Sequence, residues 1–303
     1  CSGSRVYVTW SDGRAGTWDV YVNASVDGGM TWLENDRRLD TDLIGTADST
    51  HPRVCATGSS AFVVWEEDRG GTLDIYFNRS LDGGTTWDAS DQRLDTAFPN
   101  ASDAFRPRIC CDGALVYAVW VDTRSDLDEV RLNASSDAGS TWLASDRRID
   151  TDLFGDGASQ NAELACAGST VYITWDDDRT GTRDVRFNRS VDGGLTWLDD
   201  DLRLDRDPTG SADSARPLIC ADGAFVFVIW EDDRLGPYGI YLNGSTDAGA
   251  TWSSTDIRVD GAPHGAVVVS EPWLCCTGSR VSVVWRDPRF GGGDIFANAG
   301  ESP

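Results

Sequence analysis

Apolar and polar residues alternate along short stretches of this chain, and clusters of Gly and Asp separate these stretches. Near the start, RVYVTW and DVYVNAS alternate with period two and are rich in β-branched and aromatic residues, which is typical of strands. A third strand is predicted through RRLD and a fourth through PRVCA. The pattern therefore predicts an all-β protein built from sets of four short antiparallel strands.

The strand set recurs with a period of 55 residues. Its opening glycine stands at Gly3, Gly58, Gly113, Gly168, Gly223 and Gly278. A fixed period of this size without a helical pattern is typical of propellers and solenoids. We therefore predict one domain over residues 1–303, a six-bladed β-propeller of four-stranded blades. The first and last blades are incomplete: repeat one lacks most of its innermost strand and repeat six stops at Asn298. Such exposed edges favour self-association.

One rule pairs all eight cysteines. Each Cys that stands three residues before an opening glycine is joined to the Cys two residues before the next one, and the ring brings the last back to the first. The predicted disulfides are Cys55–Cys111, Cys110–Cys166, Cys220–Cys276 and Cys1–Cys275. Disulfides persist outside the reducing cytosol, so we expect an extracellular protein, secreted or at the cell surface. A lipid-anchored Cys1 remains an alternative.

Acidic residues dominate the charge. There are 50 Asp and Glu against 26 Arg and no Lys, which gives a net charge of −24. This field repels nucleic acid and anionic membrane surfaces. No stretch approaches the roughly 18 apolar residues that span a bilayer, so no membrane insertion is expected. With two His and no Cys-x-x-Cys spacing, no metal site and no cofactor are predicted.

Five turns carry the pattern S-x-D-x-G-x-T-W. They are SVDGGMTW (25–32), SLDGGTTW (80–87), SSDAGSTW (135–142), SVDGGLTW (190–197) and STDAGATW (245–252). Here Asp caps a tight turn, Gly takes a positive φ and Trp packs onto the blade. The pattern resembles the Asp box, or BNR repeat, of sialidase-like propellers. The resemblance implies that these turns are structural and lie away from the active site.

Sialidases of that family use three arginines for the substrate carboxylate, a Tyr nucleophile with a Glu base, and an Asp acid. The resemblance points to Arg106, Arg216, Tyr238 and Glu271 as catalytic candidates, and Tyr with Glu is a chemically reasonable nucleophile pair. The family's F/Y-R-I-P motif has no clean counterpart, because FRPRI at 105–109 has its proline at another position.

Every repeat also carries W-x-[D/E]-x-R after its second predicted strand. The pairs are Asp12/Arg14, Glu67/Arg69, Asp122/Arg124, Asp177/Arg179, Asp232/Arg234 and Asp287/Arg289. A ring of such pairs offers ligand-binding sites for sugar hydroxyls or carboxylates. The alternative is that each pair braces its own turn or the neighbouring blade.

Departures from the repeat are the better guide to chemistry, because the fold needs the same residue in every blade. They are Trp18, His51, Arg106, Arg216, Tyr238, His264, Glu271 and Trp273. Their small number favours a non-catalytic propeller that binds glycans or a protein partner, as a lectin or adhesin does. The alternatives are an exo-sialidase-like glycoside hydrolase and a structural subunit of an extracellular filament or larger surface protein.

Overall fold

The computed structural model describes residues 1–14, 16–99, 101–125, 127–153, 156–261, 268–291 and 293–301. Within these ranges the chain forms twenty-two strands, which make six antiparallel sheets, and no helix. This arrangement confirms the predicted β-propeller class with six repeated sheets. The chain divides into two compact units, Cys1–Ile149 and Asp150–Pro303, each with three sheets. That all six sheets form one domain stays a prediction.

The first unit holds sheets 1 to 3. Sheet 1 contains β1 (Val6–Asp12), β2 (Asp19–Ser25) and β3 (Arg37–Arg38). Sheet 2 contains β4 (Ser49–Thr57), β5 (Ser60–Glu67), β6 (Asp74–Ser80) and β7 (Gln92–Arg93). Sheet 3 contains β8 (Ala104–Asp112), β9 (Leu115–Asp122), β10 (Glu129–Ser135) and β11 (Arg147–Arg148).

The second unit holds sheets 4 to 6. Sheet 4 contains β12 (Ser159–Ala167), β13 (Thr170–Asp177), β14 (Asp184–Ser190) and β15 (Leu202–Arg203). Sheet 5 contains β16 (Ser214–Asp222), β17 (Phe225–Asp232), β18 (Gly239–Ser245) and β19 (Ile257–Arg258). Sheet 6 contains β20 (Ser270–Thr277), β21 (Arg280–Asp287) and β22 (Asp294–Glu301).

The predicted four strands are present in sheets 2 to 5, whereas sheets 1 and 6 have three. In β5, β9, β13 and β17 every residue after the first is buried. Within each unit, apolar cores form where neighbouring sheets pack, as where Trp65 of sheet 2 clusters with Val20 and Val22 of sheet 1. The largest fully buried side chains are Trp65, Trp120, Trp175 and Trp230.

The S-x-D-x-G-x-T-W turns are fixed by local hydrogen bonds. In the turn at 80–87, the Asp82 carboxylate accepts the Thr86 hydroxyl at 2.6 Å and the Thr86 N–H at 2.9 Å. The Thr86 hydroxyl is the main reason that the pKa of Asp82 falls to about 2. The next turn along the chain packs on sheet 2, where Trp142 meets Phe77 edge-on at 4.9 Å. Only glycine fits at 139, because a Cβ there would lie 2.5 Å from the Phe77 ring.

Disulfides join successive sheets within each unit. Cys55 in β4 is bonded to Cys111 in β8, and Cys220 in β16 is bonded to Cys276 in β20, each with Cα atoms 6.0 Å apart. Cys110 in β8 and Cys166 in β12 each take part in a disulfide as well.

The fourth predicted pair is a correction, because Cys1 and Cys275 are both free and exposed. The six disulfide-bonded cysteines all lie in the first strand of their sheet, and the hydrogen bonds of that strand fix their positions. Sheet 1 has no such strand among the described residues, and Cys1 precedes β1 with only the Ser2–Arg5 bridge to hold it. Nothing fixes its sulfur against a partner.

In the described part of the chain, no helix has the length and apolar character needed to cross a membrane.

Candidate functional site

A bulge interrupts the first strand of each of sheets 2 to 6. The pairing with the second strand shifts by one residue, for example between Ala215 and Leu218. At each bulge one residue other than glycine adopts a positive φ of 51° to 55°: His51, Arg106, Asn161, Arg216 and Glu271. The left-handed region is unfavourable for such residues, and bulges of this kind commonly aim side chains into active sites.

In the second unit, two buried carboxylates hold these bulges. The Arg216 N–H donates to Asp176 Oδ2 at 2.8 Å, and the Asn161 side-chain amide donates to the same carboxylate at 2.9 Å. The Arg216 guanidinium donates to Glu231 Oε2 at 2.7 Å, and the Glu271 N–H donates to Glu231 Oε1 at 3.2 Å. Arg216 therefore bridges Asp176 of β13 and Glu231 of β17.

The two bulge side chains above this network are accessible. The Arg216 and Glu271 side chains are 65% and 68% exposed, while those of the carboxylates beneath are almost fully buried. Arg286 lies beside Glu271, with its guanidinium 3.5 Å from Oε1. The exposed pair can therefore meet a ligand, and the buried acids keep it in place.

Tyr238 lies just before β18. Its main-chain carbonyl accepts a hydrogen bond at 3.2 Å from the N–H of Val269, a residue two positions before Glu271. Burial raises the pKa of Tyr238, the charges of Asp213 and Asp233 add to this, and Arg183 and Arg216 oppose it. Burial also raises the pKa of Asp176, against the Arg216 N–H and the Asn161 amide. The phenol is thus protonated at neutral pH and needs a base to act as a nucleophile.

The first unit has a related network around Glu66. Its Oε1 lies 2.7 Å from His51 Nδ1 and accepts the Thr50 hydroxyl at 3.1 Å, while Oε2 accepts the Arg106 N–H at 2.6 Å. The Arg106 guanidinium lies 5.9 Å from the centre of the Phe105 ring. His51 and Arg106 are the counterparts of Arg216 and Glu271, 165 residues earlier.

Of the four predicted catalytic residues, Arg216 and Glu271 belong to the network of the second unit, and Arg106 belongs to that of the first. Tyr238 lies in the second unit and is tied to the strand of Glu271 through its main-chain carbonyl. Sequence reasoning missed the acids beneath the bulges, Glu66, Asp176 and Glu231. The sequence does distinguish these acids. An acidic residue directly follows the Trp that recurs every 55 residues in three repeats, as WEE, WDD and WED, but not in the other three. Trp273 is 71% exposed on β20, and His264 lies outside the described residues.

The W-x-[D/E]-x-R pairs bond within their own sheets. Arg124, for example, donates to Asp122 at 2.6 Å and to Asp146, in the loop before β11, at 3.0 Å. The same bridge to a loop Asp is made by Arg14, Arg69, Arg179 and Arg234, and Arg289 contacts Asp287 and Gly261. Hydrogen bonds from Arg14 lower the pKa of Asp12 to about 2. This geometry favours the bracing interpretation, and a ligand role for the pairs stays a prediction.

A further acidic cluster surrounds Arg38. One oxygen each of Asp19, Asp40 and Asp42 lies within 4.8 Å of the others. The Arg38 guanidinium lies 2.8 Å from Asp19 and contacts Asp40 and Asp42. Burial and the hydrogen bond to Asp42 raise the pKa of Asp40. The Arg38 guanidinium thus already compensates part of the negative charge that a metal ion would neutralise.

An apolar groove of about 430 Å³ lies between sheets 5 and 6, lined among others by Phe227, Leu242, Trp252 and Val283. It contains none of the bulge residues or their acids. A groove without titratable groups apart from Glu301 offers no acid–base chemistry, so the bulge networks are the stronger candidate site.

No protein-family model and no curated protein sequence matches the chain. Solved structures with the same fold are found at low identity. The α-L-arabinanase of Penicillium chrysogenum, complexed with arabinobiose, is 13% identical with a TM-score of 0.54, over 98% of this chain and 90% of that chain. The GH93 α-L-arabinofuranosidase of Fusarium graminearum, with arabinobiose, is 15% identical with a TM-score of 0.53, over 98% and 92%. A mutant NanB sialidase of Streptococcus pneumoniae is 10% identical with a TM-score of 0.56, over 93% of this chain and 63% of that chain.

These likenesses define the class of the fold, a β-propeller shared with sialidases and arabinan-degrading enzymes. They also correct the main functional prediction from the sequence. A non-catalytic propeller of the lectin or adhesin kind is wrong on this comparison, because the structural relatives are glycoside hydrolases. The few departures from the repeat had suggested a binding protein, but they are concentrated at the bulges.

Proposed function

We propose that this chain is an extracellular glycoside hydrolase whose reactive groups are two bulge residues of the second unit, Arg216 and Glu271, together with Tyr238, which precedes β18. The observation that carries the proposal is the set of strained, polar bulge residues held over buried carboxylates. The same backbone device presents four kinds of side chain at five bulges, with Arg at two of them, and asymmetric chemistry requires such variety. The glycoside hydrolases of the same fold, including those complexed with arabinobiose, support this reading. The resemblance of the five turns to the Asp box supports it as well.

In this proposal Arg216 binds the sugar at the non-reducing end of a glycan, through hydroxyl or carboxylate oxygens. Tyr238 is the nucleophile whose phenol oxygen bonds to the anomeric carbon as the bond from that carbon to the leaving-group oxygen breaks, and Glu271 is the base that takes the phenol proton. The leaving-group oxygen takes a proton from water, and a second water then cleaves the tyrosyl–sugar bond, which releases the sugar and restores the phenol. The raised pKa of Tyr238 makes such a base necessary. Glu231 is a positioning residue, because it bonds the Glu271 N–H and the Arg216 guanidinium and is itself buried.

The proposal is tested with aryl glycosides, including a fluorogenic α-L-arabinofuranoside and a fluorogenic sialoside. We expect turnover of at least one, and a loss of about 10²- to 10⁴-fold in kcat for Glu271→Gln, the range for a lost proton-transfer group. Tyr238→Phe removes the nucleophile and is expected to lose as much or more.

The matched control is Glu301→Gln, an equally conservative change at an exposed carboxylate that forms a surface ion pair with Arg280. It should leave kcat within twofold of the parent chain. Absence of turnover on every glycoside, or equal turnover by Glu271→Gln and the parent chain, would contradict the proposal.

A further inference from the structure

A second cleft lies in the first unit, at the place where sheet 1 meets sheet 2. It has a volume of about 430 Å³, and its lining includes Trp10, Trp18, His51 and Pro52. It combines aromatic surface with hydroxyl groups and, unlike the apolar groove of the second unit, with an imidazole. Clefts that join an aromatic wall to a few polar groups are typical of small-molecule sites.

Trp18 is an exposed aromatic side chain on a fixed backbone. Its side chain is 50% exposed, although its neighbours hold the main chain on both sides. The Trp18 N–H donates to the Asp48 carboxylate at 2.8 Å, and its carbonyl accepts the Ser49 N–H at 2.6 Å. Gly13 lies beside the indole, where a Cβ would be in ordinary van der Waals contact with three ring atoms at 3.9 Å. The half-exposed indole is one of the residues that line the cleft.

His51 gives the cleft an oriented polar group. It is one of the bulge residues with positive φ, and its Nδ1 lies 2.7 Å from the buried Glu66 carboxylate. A carboxylate is a hydrogen-bond acceptor, so it favours the tautomer in which Nδ1–H donates to it, and in that tautomer of the neutral ring Nε2 is an acceptor. An acceptor beside an aromatic face is the arrangement that binds a sugar hydroxyl while the ring's C–H face stacks on the indole.

The charge around the cleft selects among sugars. The one arginine in its lining, Arg53, donates to the Pro52 carbonyl at 3.1 Å. The Glu66 carboxylate lies directly beneath His51, and the chain carries a net charge of −24. This negative field disfavours an anionic ligand. The aromatic lining and the negative field together fit a neutral sugar ring.

We infer that the Trp18–His51 cleft binds a neutral pyranose or furanose unit of a glycan. The inference deepens the proposed function, since it names a sugar that a glycan-degrading enzyme holds in addition to the one at its reactive groups. It rests on separate residues in the other compact unit, so it can fail or succeed independently of the hydrolase proposal.

Direct binding tests the inference. Arabinobiose, xylotriose and lactose serve as neutral probes and free N-acetylneuraminic acid as an anionic one, with titration calorimetry on the Glu271→Gln chain so that turnover does not interfere. We expect at least one neutral probe to bind and the anionic probe to bind more weakly. Trp18→Ala should weaken the neutral probe about three- to tenfold, the loss expected for one aromatic stack, and Trp18→Phe should retain most of the affinity.

The matched control is Trp32→Ala, which removes another exposed indole of the same unit, 41% exposed and outside the cleft. It should bind the probes as the parent chain does. The inference is overturned if no neutral probe binds at millimolar concentration, or if Trp18→Ala binds as tightly as the parent chain. Sugar binding that depends on Trp18 in a chain without hydrolytic activity would keep this inference and refute the proposed function, and activity without such binding would do the reverse.

Discussion

The strained bulges predict an unusual order of stability at position 216. In an ordinary strand Ala is more stable than Gly by about 0.5–1 kcal/mol, because Gly loses more chain entropy on folding. Arg216 has φ of 51°, and the left-handed region costs a residue with a Cβ about 1–2 kcal/mol that Gly does not incur. Arg216→Ala and Arg216→Gly lose the same contact with Glu231, so that loss cancels between them. The Gly variant should therefore be more stable by about 1 kcal/mol.

Urea unfolding of the two variants measures this difference directly. For a compact unit of this size, about 1 kcal/mol corresponds to roughly 2–4 °C in the thermal midpoint. The matched control is the pair Ile257→Ala and Ile257→Gly on β19, a half-exposed strand position absent from the positive-φ residues. There the Ala variant should be the more stable. An Arg216→Ala chain as stable as Arg216→Gly, or more so, would refute the argument that the bulge stores backbone strain for function.

Two further predictions concern stability. Replacing Cys220 and Cys276 by serine removes their disulfide and should lower the unfolding free energy, measured by urea unfolding, by about 4 kcal/mol. This is the loop-closure entropy expected for a separation of 56 residues. Cys1→Ser and Cys275→Ser are the controls, because both cysteines are free, and they should leave the unfolding free energy unchanged. Burial and the hydrogen bond to Asp207 raise the pKa of Asp205, so the folded chain keeps a proton that the unfolded chain releases above about pH 4. The unfolding free energy should therefore fall as pH rises from about 4 through the raised pKa. Asp205→Asn should flatten this dependence between pH 5 and 8 and the exposed Asp294→Asn should not; equal slopes in all three chains would contradict it.

The fold could be predicted from the sequence because its cause is repetitive. Period-two alternation fixes each strand, and the 55-residue spacing fixes the number of sheets. The inter-sheet disulfides followed from the same period. The Cys1–Cys275 prediction was wrong because it rested on the spacing rule alone, and sheet 1 has no strand before β1 among the described residues to hold Cys1.

The candidate site was predicted only in part. Arg216, Tyr238 and Glu271 stood out because they differ from their counterparts in other repeats. Glu231 did not, because an acid after Trp is common to half of the repeats and its role depends on a contact to a backbone N–H forty residues later. Such contacts between neighbouring sheets follow from packing, which the period alone does not describe. The positive φ of the bulge residues also has no local signal, since Arg and Glu rarely adopt it.

The buried acids Glu66, Asp176 and Glu231 each hold the main chain of the following sheet's bulge, through the N–H of Arg106, Arg216 and Glu271 respectively. A hydrogen bond to a main-chain N–H does not depend on which side chain the bulge residue carries. The side chains at these three bulges can therefore be replaced, in evolution or in a laboratory library, by groups that recognise other ligands while the fold is retained. Repetition in this chain thus supplies both its architecture and a means of diversifying what that architecture displays.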